Sequence, residues 1–120
     1  MKASHITPIL NVSSVLESFA WFEKWGWKRG FDWGEPPTFG AVCAEGGAEI
    51  FLCKDDQGGR GESGAWMSIW VDAVDPIYEH CLKMGIKITW PPTDEPWGVR
   101  EMHIQHPDGH IFRISQSPEE

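Results

Sequence analysis

The feature that most constrains the fold of this sequence is an internal repeat. The segment at 12–28, VSSVLESFAWFEKWGWK, aligns without gaps with the segment at 71–87, VDAVDPIYEHCLKMGIK. The matching pairs all share one offset: Val12 and Val71, Val15 and Val74, Phe19 and Tyr78, Lys24 and Lys83, Gly26 and Gly85, Lys28 and Lys87. Such a repeat predicts two copies of one supersecondary unit.

Each copy begins with a strand that runs into a helix. The predicted strands cover about 5–12 and about 66–72. In the first copy, Ser14 and Glu17 have the spacing of a capping box, in which each side chain satisfies a backbone N–H at the start of a helix. This spacing predicts that the first helix begins next to Ser14.

The second copy carries different signals for the same helix. Asp75 is predicted to cap it, with Pro76 at the first helical position. Gly26 and Gly85 fit the left-handed residue that closes a helix. Apolar residues recur at helical spacing in both copies: Val15, Phe19 and Phe22 in the first, Ile77, Cys81 and Met84 in the second.

Strand-like runs follow both helices. In the first copy they are TFGAVCAE and AEIFLCK, separated by a tight turn at Gly46-Gly47; in the second they are IKITW, REMHIQ and HIFRIS, the last two joined by Pro107-Asp108-Gly109. The predicted fold class is α+β: tandem βαβββ modules that form a curved mixed β-sheet cup with the helices outside. We expect a single domain over 1–120, with module one at about 3–53, a linker at 54–64 and module two at about 65–116.

The linker contains glycines in the spacing of a dinucleotide fingerprint, at Gly59, Gly61 and Gly64. That fingerprint needs a strand before it and a helix that opens at its end. Here an apolar strand follows instead, so we interpret the segment as a flexible linker.

Net charge and cysteine content indicate which partners are disfavoured and which cellular compartment is expected. The formal charge of −8 over 120 residues disfavours nucleic acid or an anionic membrane as the main partner. The three cysteines lack paired spacing, which indicates a reducing cytoplasm rather than a disulfide framework. No apolar run is long enough for a transmembrane helix.

Side chains alternate across a strand, so each predicted strand has one core face and one opposite face. Several residues are assigned to the core by this alternation: Ile6, Leu10, Val12, Ala48, Ile50, Leu52, Met67, Ile69, Val71, Phe112 and Ile114. The opposite faces carry aromatic and polar groups: His5, Thr7, Ile9, Asn11, Glu49, Phe51, Cys53, Trp66, Ser68, Trp70, Ile111, Arg113 and Ser115. Eight tryptophans exceed what a small core needs, so some of them should line a surface, a groove or an interface.

These motifs resemble the vicinal-oxygen-chelate superfamily, which includes glyoxalase I, extradiol dioxygenases, fosfomycin-resistance proteins and bleomycin-resistance proteins. The resemblance covers nearly the whole chain and is carried by ITPILNV, SFAWFEKWGWK and PWGVRE…HPDGH. Thr7-Pro8 and the pair Trp97-Gly98 are most similar to the bleomycin-resistance branch.

The resemblance implies which positions a metal-using member would fill with His or Glu. Carried over, these positions are Thr7 and Phe51 in module one, and Trp66 and Arg113 in module two. None is a plausible metal ligand, and Arg113 places a fixed cation where the metal's charge would lie. The resemblance therefore implies no metal and no cofactor, and it disfavours an enzyme.

Three histidines near the end of the chain, His103, His106 and His110, leave three interpretations open. They could be metal ligands, a catalytic set or structural residues of a β-hairpin. The hairpin bend separates them, and this disfavours a metal site. Trp97 is either a stacking platform or a packed aromatic residue. Arg100 is either an ion-pair partner on the sheet or a group that holds a ligand oxygen.

The preferred function is a metal-independent protein that sequesters a planar aromatic or cationic small molecule, such as an antibiotic, within a homodimer. The expected ligand-binding residues are Thr7, Phe51, Trp66, Trp70, Trp97, Arg100, Glu101, His103 and Arg113. The alternatives are a metal-dependent glyoxalase- or dioxygenase-type enzyme with an atypical site that includes His5 and Glu49, and an interaction domain whose cup is a vestige.

Overall fold

The computed structural model describes residues 1–54 and 57–117. Within these residues, two helices and eight strands form an α+β structure with two mixed four-stranded sheets. The chain divides into two compact units, one ending at Gly59 and one beginning at Arg60. Each unit contains one helix and one sheet in the order βαβββ, so the predicted tandem architecture is confirmed.

The first unit contains five elements, which are β1 (Ile9–Asn11), α1 (Val15–Glu23), β2 (Lys28–Trp33), β3 (Phe39–Cys43) and β4 (Glu49–Cys53). Its strand order is β1-β4-β3-β2. The strand β1 is parallel to β4, and the other neighbours are antiparallel.

Helix α1 contributes large aromatic side chains to the core of this unit. Ser14 is the N-cap, and its hydroxyl accepts a hydrogen bond from the backbone N–H of Glu17 at 3.1 Å, as the capping-box spacing predicts. Phe19 and Phe22 are fully buried. A Cβ added at Gly40 would lie 2.5 Å from Cζ of Phe19, so a glycine is required where the ring lies against β3.

Two predictions for the first unit are wrong in detail. Ile6 and Ala48 are exposed rather than in the core, because β1 begins only at Ile9 and Ala48 still belongs to the turn at Gly46-Gly47. The sequence patterns also miss β2, whose six residues are all exposed.

The second unit repeats the arrangement with β5 (Trp66–Val71), α2 (Asp75–Met84), β6 (Ile88–Asp94), β7 (Arg100–Gln105) and β8 (Ile111–Gln116). Its strand order is β5-β8-β7-β6, with β5 parallel to β8. This is the order of the first unit, strand for strand.

The ends of α2 agree only partly with prediction. Gly85 closes the helix in the left-handed conformation, with φ 73°. The N-cap residue is Val74 instead of Asp75, and it makes no side-chain capping bond. The expected cap at Asp75 is wrong because its carboxylate pairs with Arg100 on β7.

The strand β6 lies at one edge of the second sheet and contains Pro91 and Pro92. Its pairing with β7 shifts register between Ile88 and Trp90 and again between Trp90 and Thr93. The face to which a given β6 side chain belongs therefore does not follow from simple alternation.

The glycines of the interpreted linker are partly packed. Gly61–Ser63 form a short 3₁₀ turn, and the N–H of Gly61 donates to the carbonyl of Asp108 at 2.7 Å. A Cβ at Gly64 would lie 2.7 Å from the carbonyl oxygen of Gly109. These glycines allow two backbone segments to approach closely; residues 55 and 56 of the predicted linker lie outside the described residues.

Candidate functional site

One face of the second sheet combines exposed aromatic side chains with buried charge. Across it, Ser68 pairs with Arg113, Arg113 with His103, and His103 with Trp90. A cavity of about 310 Å³ opens on this face. Its lining residues are Trp66, Trp90, Glu95, Trp97, Glu101, His103 and Arg113.

The floor of this cavity is an ion network centred on Glu101. Its side chain is only 3% exposed. Oε1 of Glu101 accepts a hydrogen bond from Nη2 of Arg113 at 2.8 Å, and Oε2 lies 2.6 Å from Nε of the same guanidinium. The Nε–H direction misses that oxygen, so this second contact is an ion pair rather than a hydrogen bond. Oε2 also lies 2.7 Å from Nε2 of His103, which completes the network.

The two partners of Glu101 keep it ionised. Burial has the largest single effect and raises the pKa of Glu101. The hydrogen bonds and charges of Arg113 and His103 outweigh it together, so the pKa lies below its ordinary value. The cavity floor thus carries a fixed carboxylate that its neighbours neutralise.

Tryptophans form the walls. Trp66 is 68% exposed and Trp97 62% exposed, which is unusual for large apolar side chains unless they serve a surface. The guanidinium carbon of Arg113 lies 5.6 Å from the centroid of the Trp97 ring. The Trp90 ring lies 6.3 Å from the His103 ring, and its Nε1–H donates to Oε1 of Glu95 at 3.0 Å.

The structure brings together five of the predicted ligand-binding residues, which are Trp66, Trp97, Glu101, His103 and Arg113. Trp70 is exposed on the same face of β5 but does not line the cavity. Trp90 and Glu95 were not predicted as lining residues. The position of Trp90 opposite His103 depends on the irregular register of β6, which simple alternation does not give.

Arg100 lies apart from the cavity. It precedes Glu101, so its side chain leaves the opposite face of β7. Its Nε and Nη2 donate to the two oxygens of Asp75, each at 2.9 Å, and Nη1 donates to Asp94 at 3.1 Å. Of its two predicted roles, the structure shows the ion pair, which lowers the pKa of Asp75 through its hydrogen bonds.

Thr7 and Phe51 lie in the first unit. Thr7 precedes β1, and Phe51 lies on β4. Phe51 belongs to an aromatic cluster in which its ring centroid is 5.6 Å from that of Phe31 and 5.3 Å from that of Phe39. Phe51 therefore packs against other aromatic rings on the face of the first sheet that is turned away from the helix.

Two of the three late histidines hold the β7–β8 hairpin in place. His106 and His110 are almost fully buried. Nδ1 of His106 accepts from the N–H of Asp108, and Nδ1 of His110 accepts from the N–H of Ala65, both at 2.9 Å. Burial is the main cause that lowers the pKa of His106 to about 4, so this ring is neutral near pH 7.

The donor groups do not fit a metal centre of the type that the metal-using relatives imply. In the ranges 1–54 and 57–117, no group of three or more His, Cys, Asp or Glu side chains could hold a metal ion. Of the residues proposed for an atypical site, Glu49 accepts from the Cys43 thiol at 3.7 Å, and His5 is exposed beside Ser4. Glu101, the buried carboxylate of the cavity, already binds a guanidinium.

Comparison with known proteins gives a clear family and a clear fold. Residues 2–114 match the family model of the Glyoxalase/Bleomycin resistance protein/Dioxygenase superfamily. Among curated proteins, no match to this sequence reaches significance. Within the described residues, none of the helices is long and apolar enough to cross a membrane.

Solved structures share the fold at low identity. TioX from Micromonospora sp. ML1 aligns with a TM-score of 0.82 at 18% identity, over 95% of this chain and 98% of TioX. A bleomycin-binding protein complexed with bleomycin aligns with a TM-score of 0.80 at 18% identity, over 96% and 99%.

A bleomycin resistance determinant encoded on the transposon Tn5 aligns with a TM-score of 0.81 at 18% identity, over 96% of this chain and 98% of its own. All three cover both βαβββ units. The family match and the shared fold agree with the resemblance in the sequence: this chain belongs to the glyoxalase/bleomycin resistance protein/dioxygenase superfamily.

Proposed function

We propose that this protein is a metal-independent binding protein that sequesters a planar aromatic or cationic small molecule, such as an antibiotic. The observation that carries the proposal is the cavity on the second sheet, whose walls are Trp66, Trp90 and Trp97 and whose floor is the network of Glu101. Concave, mostly apolar sites with a few fixed polar groups are typical of small-molecule binding.

The tryptophan rings and Glu95 would attract such a ligand through stacking and through attraction of positive charge. Each stacked aromatic contact contributes about 0.5–1.5 kcal/mol beyond the burial of area. A cationic ligand gains a further cation–π attraction of about 0.5–2 kcal/mol. Glu95 adds a carboxylate whose partner is the neutral indole of Trp90, so its negative charge remains to attract a cation.

The ligand classes bound by structural relatives support the same proposal. One solved neighbour is a bleomycin-binding protein complexed with bleomycin, and another is a bleomycin resistance determinant. We extend to this chain the homodimer expected from the bleomycin-resistance branch. A reducing cytoplasmic location is consistent with its three cysteines, which form no disulfide within the described residues.

The test is a binding titration followed by tryptophan fluorescence and by calorimetry. The panel contains bleomycin, a planar aromatic cation such as N-methylacridinium, and a non-aromatic cation of similar charge. We expect saturable quenching by at least one planar compound and none by the non-aromatic cation. Trp97→Phe should weaken binding slightly and Trp97→Ala by about tenfold or more, because the ring supplies the stacking surface.

The matched control is Leu82→Ala, which removes an exposed apolar side chain from α2. It should leave the affinity unchanged. If no planar compound binds saturably, the chain is better explained as an interaction domain. Chelator-sensitive turnover with stoichiometric metal would instead establish the enzyme alternative.

A further inference from the structure

We propose that Arg113 is a hydrogen-bond donor to the bound molecule, and that the ligand is a planar aromatic compound with a neutral acceptor oxygen at its inner edge, such as an aryl ketone. This inference rests on the proposed binding function and names the chemistry that the cavity selects.

The orientation of the guanidinium is the first support. A guanidinium carries five N–H donors in a fixed fork. Arg113 turns its Nε and Nη2 edge towards Glu101, at 2.6 and 2.8 Å. This leaves Nη1 without a protein acceptor in the part of the chain that the structure describes. Arg113 lines the cavity and its side chain is 27% exposed, so Nη1 is accessible to a ligand.

Rigidity is the second support. Glu101 holds one edge of the guanidinium, and the Trp97 ring lies 5.6 Å from its central carbon. The donor is therefore positioned before a ligand arrives, and less entropy is lost when it binds. A ligand ring that stacks on the tryptophan walls brings its own edge towards Arg113.

The charge balance decides which oxygen is preferred. The cavity contains two carboxylates, Glu95 and Glu101, beside the Arg113 guanidinium and the His103 ring. A full anion would have to approach both carboxylates, whereas a carbonyl oxygen needs only the hydrogen bond. Any positive charge on the ligand would lie at the rim beside Glu95, opposite the oxygen.

The experiment compares 2-acetylnaphthalene with 2-isopropenylnaphthalene, in which a methylene group replaces the carbonyl oxygen and the substituted carbon stays planar. We expect the ketone to bind about tenfold more tightly, since a hydrogen bond to a charged donor commonly contributes that much. The third probe, 2-naphthoate, should bind no more tightly than the ketone.

Two variants assign the preference to Arg113. Arg113→Lys keeps a cation for Glu101 but loses the outer nitrogen of the fork, so the ratio of the two affinities should fall to about one. Arg29→Lys makes the same change at an exposed position on β2, outside the cavity, and should leave this ratio unchanged. Circular dichroism checks that both variants fold, and the comparison on the unmodified protein stands without them.

The outcomes separate this inference from the proposed function. If the ketone binds no better than its isostere, or if it fails to bind while other planar compounds bind, the inference is overturned and the binding function stands. If no planar aromatic compound binds at all, both fail.

Discussion

The two units of this protein have the same strand order and use it for different purposes. In the first sheet, the residues Ile9, Phe51 and Ala41 form one row across β1, β4 and β3. In the second sheet, the corresponding row across β5, β8 and β7 is Ser68, Arg113 and His103.

The first row is apolar and continues into a cluster of three phenylalanines, whereas the second carries charge beside open tryptophans. The repeated pattern fixes the backbone arrangement, while the face away from the helix is free to differ. Packing occupies that face in one unit, and a cavity with tryptophan walls and a charged floor occupies it in the other.

The helices differ as well. Helix α1 buries five residues and packs on β2, β3 and β4, whereas α2 fully buries only Cys81 among its described residues and packs mainly on β6. The first unit thus relies more strongly on its helix.

The largest expected effect tests this difference at Phe19 and Tyr78, which occupy matching positions of the repeat. Phe19→Ala should lower the free energy of unfolding by about 3–5 kcal/mol, because the ring is fully buried over Gly40. Tyr78→Ala should cost only about 1 kcal/mol, because that side chain is half-buried. Urea unfolding measures both, and equal losses would contradict the contrast.

The next largest effect is a loss of folding stability at acid pH, caused by His106 in the second unit. The pKa of His106 is about 4 in the folded protein and 6.5 when unperturbed. Between these values the unfolded chain binds more protons, so stability falls as the pH drops from about 6.5 to 4. The group contributes up to about 3 kcal/mol of stability above pH 6.5, and this contribution is lost below pH 4.

Unfolding free energies measured from pH 7 to pH 4 test this expectation. His106→Asn keeps an acceptor for the N–H of Asp108 but cannot be protonated, so its stability should vary less over that range. His80→Asn, at an exposed position on α2, is the control and should follow the unmodified protein. An unchanged pH profile in His106→Asn would show that another group is responsible.

The smallest effect compares two glutamates, one on each sheet. Glu101→Gln removes a charged acceptor from Arg113 and His103 and should cost about 1–3 kcal/mol. Glu49→Gln loses only a weak contact with the Cys43 thiol at 3.7 Å, so we expect a loss of less than about 0.5 kcal/mol. Thermal unfolding of the pair measures the difference, and similar losses would mean that the buried network does not stabilise the fold.

The repeat and its turn residues were enough to predict the tandem βαβββ fold, because hydrophobic spacing, Ser14 and Gly85 all act locally. The strand β2 escaped prediction because KRGFDW has no buried face and therefore no alternation. The pairing of Asp75 with Arg100 joins residues that are distant in sequence, and only the register of the sheet brings them together.

The lining of the cavity was predictable only where the strands are regular. Alternation along the regular strands placed Trp66, Glu101, His103 and Arg113 on one face. It failed for Trp90, because two register shifts in β6 break the alternation on which the argument depends. Whether a residue lines the cavity or only shares its face, as Trp70 does, depends on three-dimensional packing that no strand pattern contains.

The two prolines of β6 have a consequence for solubility. An exposed edge strand invites pairing with another chain, and this pairing is a common route to aggregation. Pro91 and Pro92 cannot donate backbone hydrogen bonds, so a chain laid along this edge would find gaps in the ladder. The protein can therefore hold Trp90 open to solvent on a strand that is a poor template for fibril growth.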